Sequence, residues 1–259
     1  MKLSKNTVLI TGGTSGIGLE LAKQLLELGN TVIITGRDQK KLDGVKSTIP
    51  RVHVFKSDIN DPRDVIFLFA EVASKFPNLN ILVNNAGYSK IFNLNKKSEL
   101  EELTREVTTN LNAPIWLTQQ FLPLLIKQNE AAVINVTSAV GFFPIPTTPI
   151  YSATKAGLHS FTISLREQLK YTNVKVFELA PPATQTSLLD TFDKQDTDEL
   201  KPMPVEKLVN YAIKGLKNDT FEIRPGQSNQ IYYLSKFYPG LVLKLIGKSL
   251  DRLLLAKQN

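Results

Sequence analysis

Residues 6–28 constrain the fold more than any other stretch of the chain. An apolar run from Asn6 to Ile10 reads as a buried strand. It passes into Thr11-Gly-Gly-Thr-Ser-Gly-Ile-Gly18 and then into an amphipathic helix carrying Leu19, Leu21, Leu25, Leu26 and Leu28. A strand that is apolar along its length must be covered on both faces, and a strand that turns through glycines directly into a helix opens a β–α crossover. Gly12, Gly16 and Gly18 allow the backbone to turn tightly and to approach a pyrophosphate, whose charge would sit on the free N–H groups at the helix start. Thr14, Ser15 and Ile17 lie between them in the same candidate cradle. An ordinary tight turn is the competing reading.

The same alternation continues. Strands are expected at Thr31–Thr35, Val52–Lys56, Asn80–Val83, Ala132–Val136, Val174–Leu179 and Thr220–Arg224, with helices from Pro62, over Glu99–Gln128, Pro149–Lys170 and Val205–Lys217. About seven short strands separated by helices predict an α/β chain with a doubly wound parallel sheet of the Rossmann type and helices on both faces. A length of 259 residues that is 42% hydrophobic, without internal repeats, fits one domain over residues 1–259. Residues 187–204 turn polar and contain two prolines, so they read as a binding loop or lid, and residues 228–259 form a helical tail.

Composition removes several function classes. With no cysteine there is no thiolate site, and two histidines far apart, His53 and His159, supply neither a zinc site nor a Ser-His-Asp triad, so no metal is expected. Both read as structural or surface residues, His159 facing out of its helix. The first apolar run is too short for a signal core or a membrane span, which leaves a cytoplasmic location as the expectation. The formal charge of +7 is spread out and lacks any nucleic-acid-binding pattern. Its one concentration is the tail, where Lys236, Lys244, Lys248, Arg252 and Lys257 face a single acid, Asp251. A basic amphipathic helix over 239–257 could lie on an anionic membrane, or pack on its own domain or across a dimer.

Chemistry-bearing residues gather at the strand ends. After the second strand, Gly36 occupies the place where an acid would take ribose hydroxyls, and Arg37 follows it, which suits a 2′-phosphate and favours NADP(H) over NAD(H). Ser15 and Lys41 are possible helpers, while an Arg37–Asp38 pair is the alternative. Asp58 and Ile59 offer an adenine edge, although Asp58 could serve only as a helix cap. Asn85, Ala86 and Gly87 permit close approach to a ribose. Asn110 lies midway along the long apolar helix, where a kink and a functional role are equally open. Ser138 ends the fifth strand, and Tyr151 follows it by thirteen residues, with Lys155 one helical turn beyond. The Tyr-x-x-x-Lys spacing recurs at Tyr171/Lys175 and Tyr232/Lys236, but only Tyr151/Lys155 falls on a helix just after a strand that delivers a serine.

These motifs together resemble the short-chain dehydrogenase/reductase family over roughly Asn6 to Thr186. The family's glycine motif corresponds to Thr11, Gly12, Gly16 and Gly18, its asparagine-alanine-glycine motif to 85–87, and its catalytic tetrad to Asn110, Ser138, Tyr151 and Lys155. The resemblance implies hydride transfer between a nicotinamide and a small carbonyl or alcohol, with Tyr151 as general acid or base and Ser138 polarising the substrate oxygen. It further implies that Lys155 grips the ribose and helps lower the Tyr151 pKa from about 10, and that Asn110 holds a water for proton relay. Thr184 and Thr186 stand at family cofactor contacts, and Pro181-Pro182 replaces the family's proline-glycine. A homodimer or homotetramer is expected. The expected substrate pocket is lined by residues 89–95, 140–149 and 187–204. The rival reading is an NADP-binding sensor or scaffold without turnover.

Overall fold

The computed structural model describes residues 1–189, 201–242 and 244. Among these, seven strands form one parallel sheet: β1 Thr7–Thr11, β2 Thr31–Gly36, β3 His53–Lys56, β4 Ile81–Asn84, β5 Ala131–Val136, β6 Val174–Leu179 and β7 Glu222–Ile223, in the order β3-β2-β1-β4-β5-β6-β7. The order reverses between β1 and β4. Strands β2 and β4 flank β1 in parallel register, with Val8 opposite Val32 on one side and Ile81 on the other. The helices are α1 Gly16–Glu27, α2 Gln39–Thr48, α3 Pro62–Lys75, α4 Leu100–Val107, α5 Ala113–Ile126, α6 Pro149–Gln168, α7 Val205–Lys217 and α8 Gln227–Phe237.

The two-residue period of the strands divides the core into two layers. Val8, Ile10, Val32, Ile34, Val83 and Phe177 point to the side covered by α1, α2 and α7, where Leu21, Leu25, Leu42, Leu208 and Ala212 meet them. Leu9, Ile33, Leu82, Val133 and Val176 point to the other side and pack on Val65, Leu68, Leu117, Phe121 and Leu165 of α3, α5 and α6. Every residue of β1, β4 and β5 is buried, as central strands covered on both faces must be.

Three expectations need correction. The long helix expected over Glu99–Gln128 is two helices joined by a π-helical turn, Thr108–Asn112. Pro114 in the first turn of α5 has no N–H to donate to the Asn110 carbonyl, so the regular ladder opens just at Asn110. The last strand contracts to Glu222–Ile223. His159 does not face solvent: its Nδ1 lies 2.8 Å from Oε2 of the fully buried Glu178, which also accepts from Thr137 Oγ1 at 2.6 Å, and its ring meets Phe142 edge to face. The loop expected over 187–204 and the basic helix expected over 239–257 fall largely outside the described residues. Among the described residues no helix is long and apolar enough to cross a membrane.

Candidate functional site

The carboxyl ends of the strands open into a cleft of about 1030 Å³ at the reversal of strand order, where open α/β sheets place their ligands. Its first wall is the β1–α1 turn. Gly12 and Gly16 have φ of +65° and +53°, a left-handed conformation that side chains with a Cβ rarely adopt. A Cβ on Gly12 would also come within 2.8 Å of the Ala86 backbone. Thr14, Ser15 and Ile17 line the cleft beside them, and the side chain of Ser15, the residue before α1, does not cap the helix. The first N–H groups of α1 are therefore left for a ligand, and the residues present fit a pyrophosphate. Gly18 does not line the cleft. Its added Cβ would lie 2.4 Å from Asn85 Nδ2 and 2.5 Å from the Gly12 carbonyl oxygen, so it serves the close packing of the turn itself. Gly13, which the sequence did not single out, is under the same pressure from Ile34, at 2.5 Å.

Thr11 and Asn85 tie the ends of β1 and β4 together. Thr11 Oγ1 accepts from the backbone N–H groups of Asn85 and Ala86 at 3.0 and 3.1 Å, and Asn85 Nδ2 donates to the Thr11 carbonyl at 2.9 Å. Those bonds hold Ala86 and Gly87 at the floor of the cleft. At the β2 end, Arg37 is exposed and lines the cleft with Ser15, Asp38 and Lys41. It forms no ion pair with any described residue. Asp38 instead caps α2 by accepting from the Lys41 N–H, so the expected rival, an Arg37–Asp38 pair, does not form. Asp58 and Ile59 line the cleft after β3, and the α3 cap is Asp61 rather than Asp58.

At the far end β5 delivers Ser138, and α6 delivers Tyr151 and Lys155. All three line the cleft. Three consecutive β5-end residues are each gripped by a neighbour. Val136 O accepts from Lys155 Nζ at 2.8 Å, Thr137 donates to Glu178, and Ser138 hydrogen-bonds the Tyr151 phenol. The Lys155 ammonium stands 5.6 Å from the Tyr151 ring centroid. Burial dominates both groups: it pushes the Tyr151 phenol up to about 12, against the pull of the Ser138 hydrogen bond and with help from the nearby Glu106 charge, and it pulls Lys155 down to about 8. Burial thus moves the Tyr151 phenol in the direction opposite to the lowering expected with help from Lys155.

Asn110 is fully buried and does not line the cleft. Its Oδ1 accepts from the Tyr88 N–H at 2.9 Å, and its Nδ2 donates to the Tyr88 carbonyl at 2.8 Å and to Thr154 at 3.2 Å. Pro181, Pro182, Thr184 and Thr186 all line the cleft, and the Pro182 carbonyl accepts from Thr184 Oγ1 at 2.8 Å. The pocket expected from residues 89–95 is not realised, since Ser89 and Phe92 are buried in protein and only Tyr88 of that region reaches the cleft. Val140, Phe143, Ile145, Pro146 and Thr147 do line it, as expected, together with Ser187, Leu188 and Leu189. Gln227 and Ile231 of α8 complete it. They carry no local motif, and only the packing of α8 against the 139–141 turn brings them there. Arg105 and Tyr88, stacked at 4.9 Å, were equally invisible to the sequence.

The sequence profile of the short chain dehydrogenase family matches residues 6–197. The uncharacterized oxidoreductase DltE of Bacillus subtilis is 44% identical over 224 residues, which cover 86% of this chain and 89% of that protein. Among solved structures, a short chain dehydrogenase from Burkholderia cenocepacia in complex with NADP superposes with a TM-score of 0.82 at 22% identity over 95% of this chain and 99% of that one. A 3-ketoacyl-(acyl-carrier-protein) reductase from Brucella melitensis complexed with NADH gives 0.76 at 31% identity over 82% and 91%. With the strand order, the glycine turn and the serine, tyrosine and lysine brought to one cleft, the chain belongs to the short-chain dehydrogenase/reductase family of oxidoreductases.

Proposed function

We propose that this protein binds NADP(H) and interconverts a small carbonyl compound and its alcohol. The observation that carries this reading is the convergence of the Tyr151 phenol, the Ser138 hydroxyl and the Lys155 ammonium on one end of a cleft whose other end is a glycine cradle. Gly12, Gly16 and the α1 N-terminus would hold the pyrophosphate, Asp58 and Ile59 the adenine, and Ala86 with Gly87 the ribose region. When bound, the reduced nicotinamide supplies the hydride that the carbonyl carbon accepts. Tyr151 gives its phenolic proton to the carbonyl oxygen, and Ser138 donates a hydrogen bond to the same oxygen and stabilises the charge developing there. Lys155, charged below about pH 8, favours the phenolate left on Tyr151. Asn110 acts from behind, by tying Tyr88, which lines the cleft, to Thr154 of α6.

Arg37 supports NADP(H) over NAD(H), because a guanidinium that pairs with no acid among the described residues at the β2 end suits a phosphate dianion. Solved relatives hold either cofactor, so the fold alone does not choose between them. The walls beyond Ser138 are mostly aliphatic and aromatic, which suits an apolar substrate. The test is Tyr151→Phe, assayed with NADPH against a panel of aldehydes and ketones. Turnover should fall by roughly 10²–10⁴-fold while calorimetric NADPH affinity stays within a factor of about two. Wild-type turnover in the variant would overturn the reading.

A further inference from the structure

The stripe of α6 that meets the sheet is polar. Tyr151, Lys155, His159, Thr162 and Arg166 follow one another by four or three residues, the spacing at which a helix covering a sheet ordinarily carries its apolar stripe. Only Leu158 and Leu165 among the buried residues of α6 are aliphatic. The polar stripe makes directional bonds to β5 and β6. The Lys155 ammonium donates to the Val136 carbonyl at 2.8 Å, Thr162 Oγ1 accepts from Asn135 Nδ2 at 2.9 Å, and Arg166 Nε donates to the Val176 carbonyl at 2.9 Å. Between them, His159 Nδ1 lies 2.8 Å from Oε2 of Glu178, whose Oε1 accepts from Thr137 Oγ1 at 2.6 Å. Glu178 of β6 sits opposite Asn135 of β5, and its carboxylate bridges α6 to Thr137, the residue directly before Ser138. The mechanism above uses neither Glu178 nor His159.

Glu178 is fully buried, and a carboxylate taken out of water costs the fold more than a leucine in the same place would. What it supplies is direction. Apolar contact is non-directional and lets a helix slide or roll on a sheet, whereas bonds to particular atoms select one register. We propose that Glu178 and His159 are positioning residues: together they fix the register of α6 on the end of β5, and so hold the Tyr151 phenol and the Lys155 ammonium beside Ser138. The inference rests on the reading of those three residues given above. Tyr151 and Lys155 lie two turns and one turn before His159 on the same helix, so a slip at His159 is carried to both. A misplacement of about 1 Å at a reacting centre can cost about 10²-fold in rate.

The experiment compares kcat, KM for NADPH and urea unfolding of the wild type with those of Glu178→Leu and Glu178→Gln. Leucine removes the buried charge with both of its bonds and leaves no orphaned charge behind, because the His159 side chain is 21% exposed and reaches water. The leucine variant should therefore unfold at no lower urea than the wild type, while its kcat falls roughly 10–100-fold at unchanged KM for NADPH. Glutamine still accepts from Thr137 and donates to His159 in its other tautomer, and should recover most of the lost kcat. A merely structural pair would lower stability and leave the kcat of the folded protein intact. Wild-type kcat in Glu178→Leu, or a loss in Glu178→Gln as large as that in Glu178→Leu, overturns the proposal. Should the leucine variant fail to fold, Thr137→Val breaks the bond to β5 alone; its kcat should fall by roughly tenfold, and wild-type kcat there is the refuting result. Amide hydrogen exchange of the ligand-free protein follows the anchoring without turnover: either variant should exchange faster at the end of β5 and the start of α6, with β1 to β3 unchanged. That pattern in a protein that turns over no carbonyl compound would leave the anchoring by Glu178 standing and remove the catalytic reading. Unchanged exchange at both places would overturn the anchoring.

Discussion

Replacing Lys155 with methionine should abolish turnover and stabilise the ligand-free fold. The side chain is 3% exposed, and among the described residues its ammonium has one hydrogen-bond partner, the Val136 carbonyl at 2.8 Å. Burial holds its pKa at about 8 instead of 10.5, a difference worth about 3 kcal/mol. The sign follows from proton binding. Between pH 8 and 10.5 the unfolded chain binds a proton that the folded protein has released, so stability rises with pH across this window and the full cost is present below it. Methionine removes that cost and keeps an apolar stem of similar length, but forfeits the bond to Val136 O, about 1 kcal/mol. The net gain near neutral pH is about 2 kcal/mol, or roughly 4–8 °C in Tm for a chain of this size. Thermal unfolding of both proteins without cofactor, from pH 7 to 10.5, measures it. The advantage of the variant should shrink through the window and reverse at its upper end. A Lys155→Met protein that melts below the wild type at pH 7, or a difference independent of pH, would refute the reasoning. The trade is typical of a site where a charge is kept dry for chemistry at the expense of the fold.

Two further outcomes follow from the geometry. Arg37→Ala should weaken NADPH binding at least tenfold and leave NADH binding nearly unchanged, because only the 2′-phosphate would lose a charged partner; calorimetric titration of both cofactors checks it, and equal losses would remove Arg37 as the selector. His159→Ala leaves the carboxylate of Glu178 buried with Thr137 as its remaining side-chain partner, which should cost about 3 kcal/mol in urea unfolding, and a loss below about 1 kcal/mol would show that Thr137 alone satisfies it.

Much of this fold was legible in local pattern. The strands are short apolar runs, each with its own stop signals, so β1 through β6 fall within one or two residues of expectation, and Val174–Leu179 and Val205–Lys217 match at both ends. The interruption at Asn110 was half legible: the asparagine marked it, but the cause is Pro114, four residues on, where a missing N–H acts on a carbonyl one turn back. His159 was misread because a helix in isolation does not say which face a sheet will cover. The partner is a glutamate on β6, nineteen residues away in sequence.

The motif residues at the strand ends were visible because each sits in a turn whose local requirements restrict residue type. Gly12 and Gly16 need a left-handed backbone, and Ser138 with Tyr151 and Lys155 keeps a fixed spacing across one strand and one helix. The role of Gly18, the exclusion of Asn110 from the cleft wall, the arrival of Gln227 and Ile231 in the cleft, and the burial that sets Tyr151 and Lys155 depend on elements distant in sequence. By itself the sequence determined which residues could do the chemistry, because motif and periodicity are local. Only the tertiary structure decided how wet those residues are and which charges stand beside them, because desolvation and Coulomb interactions depend on everything packed around a group.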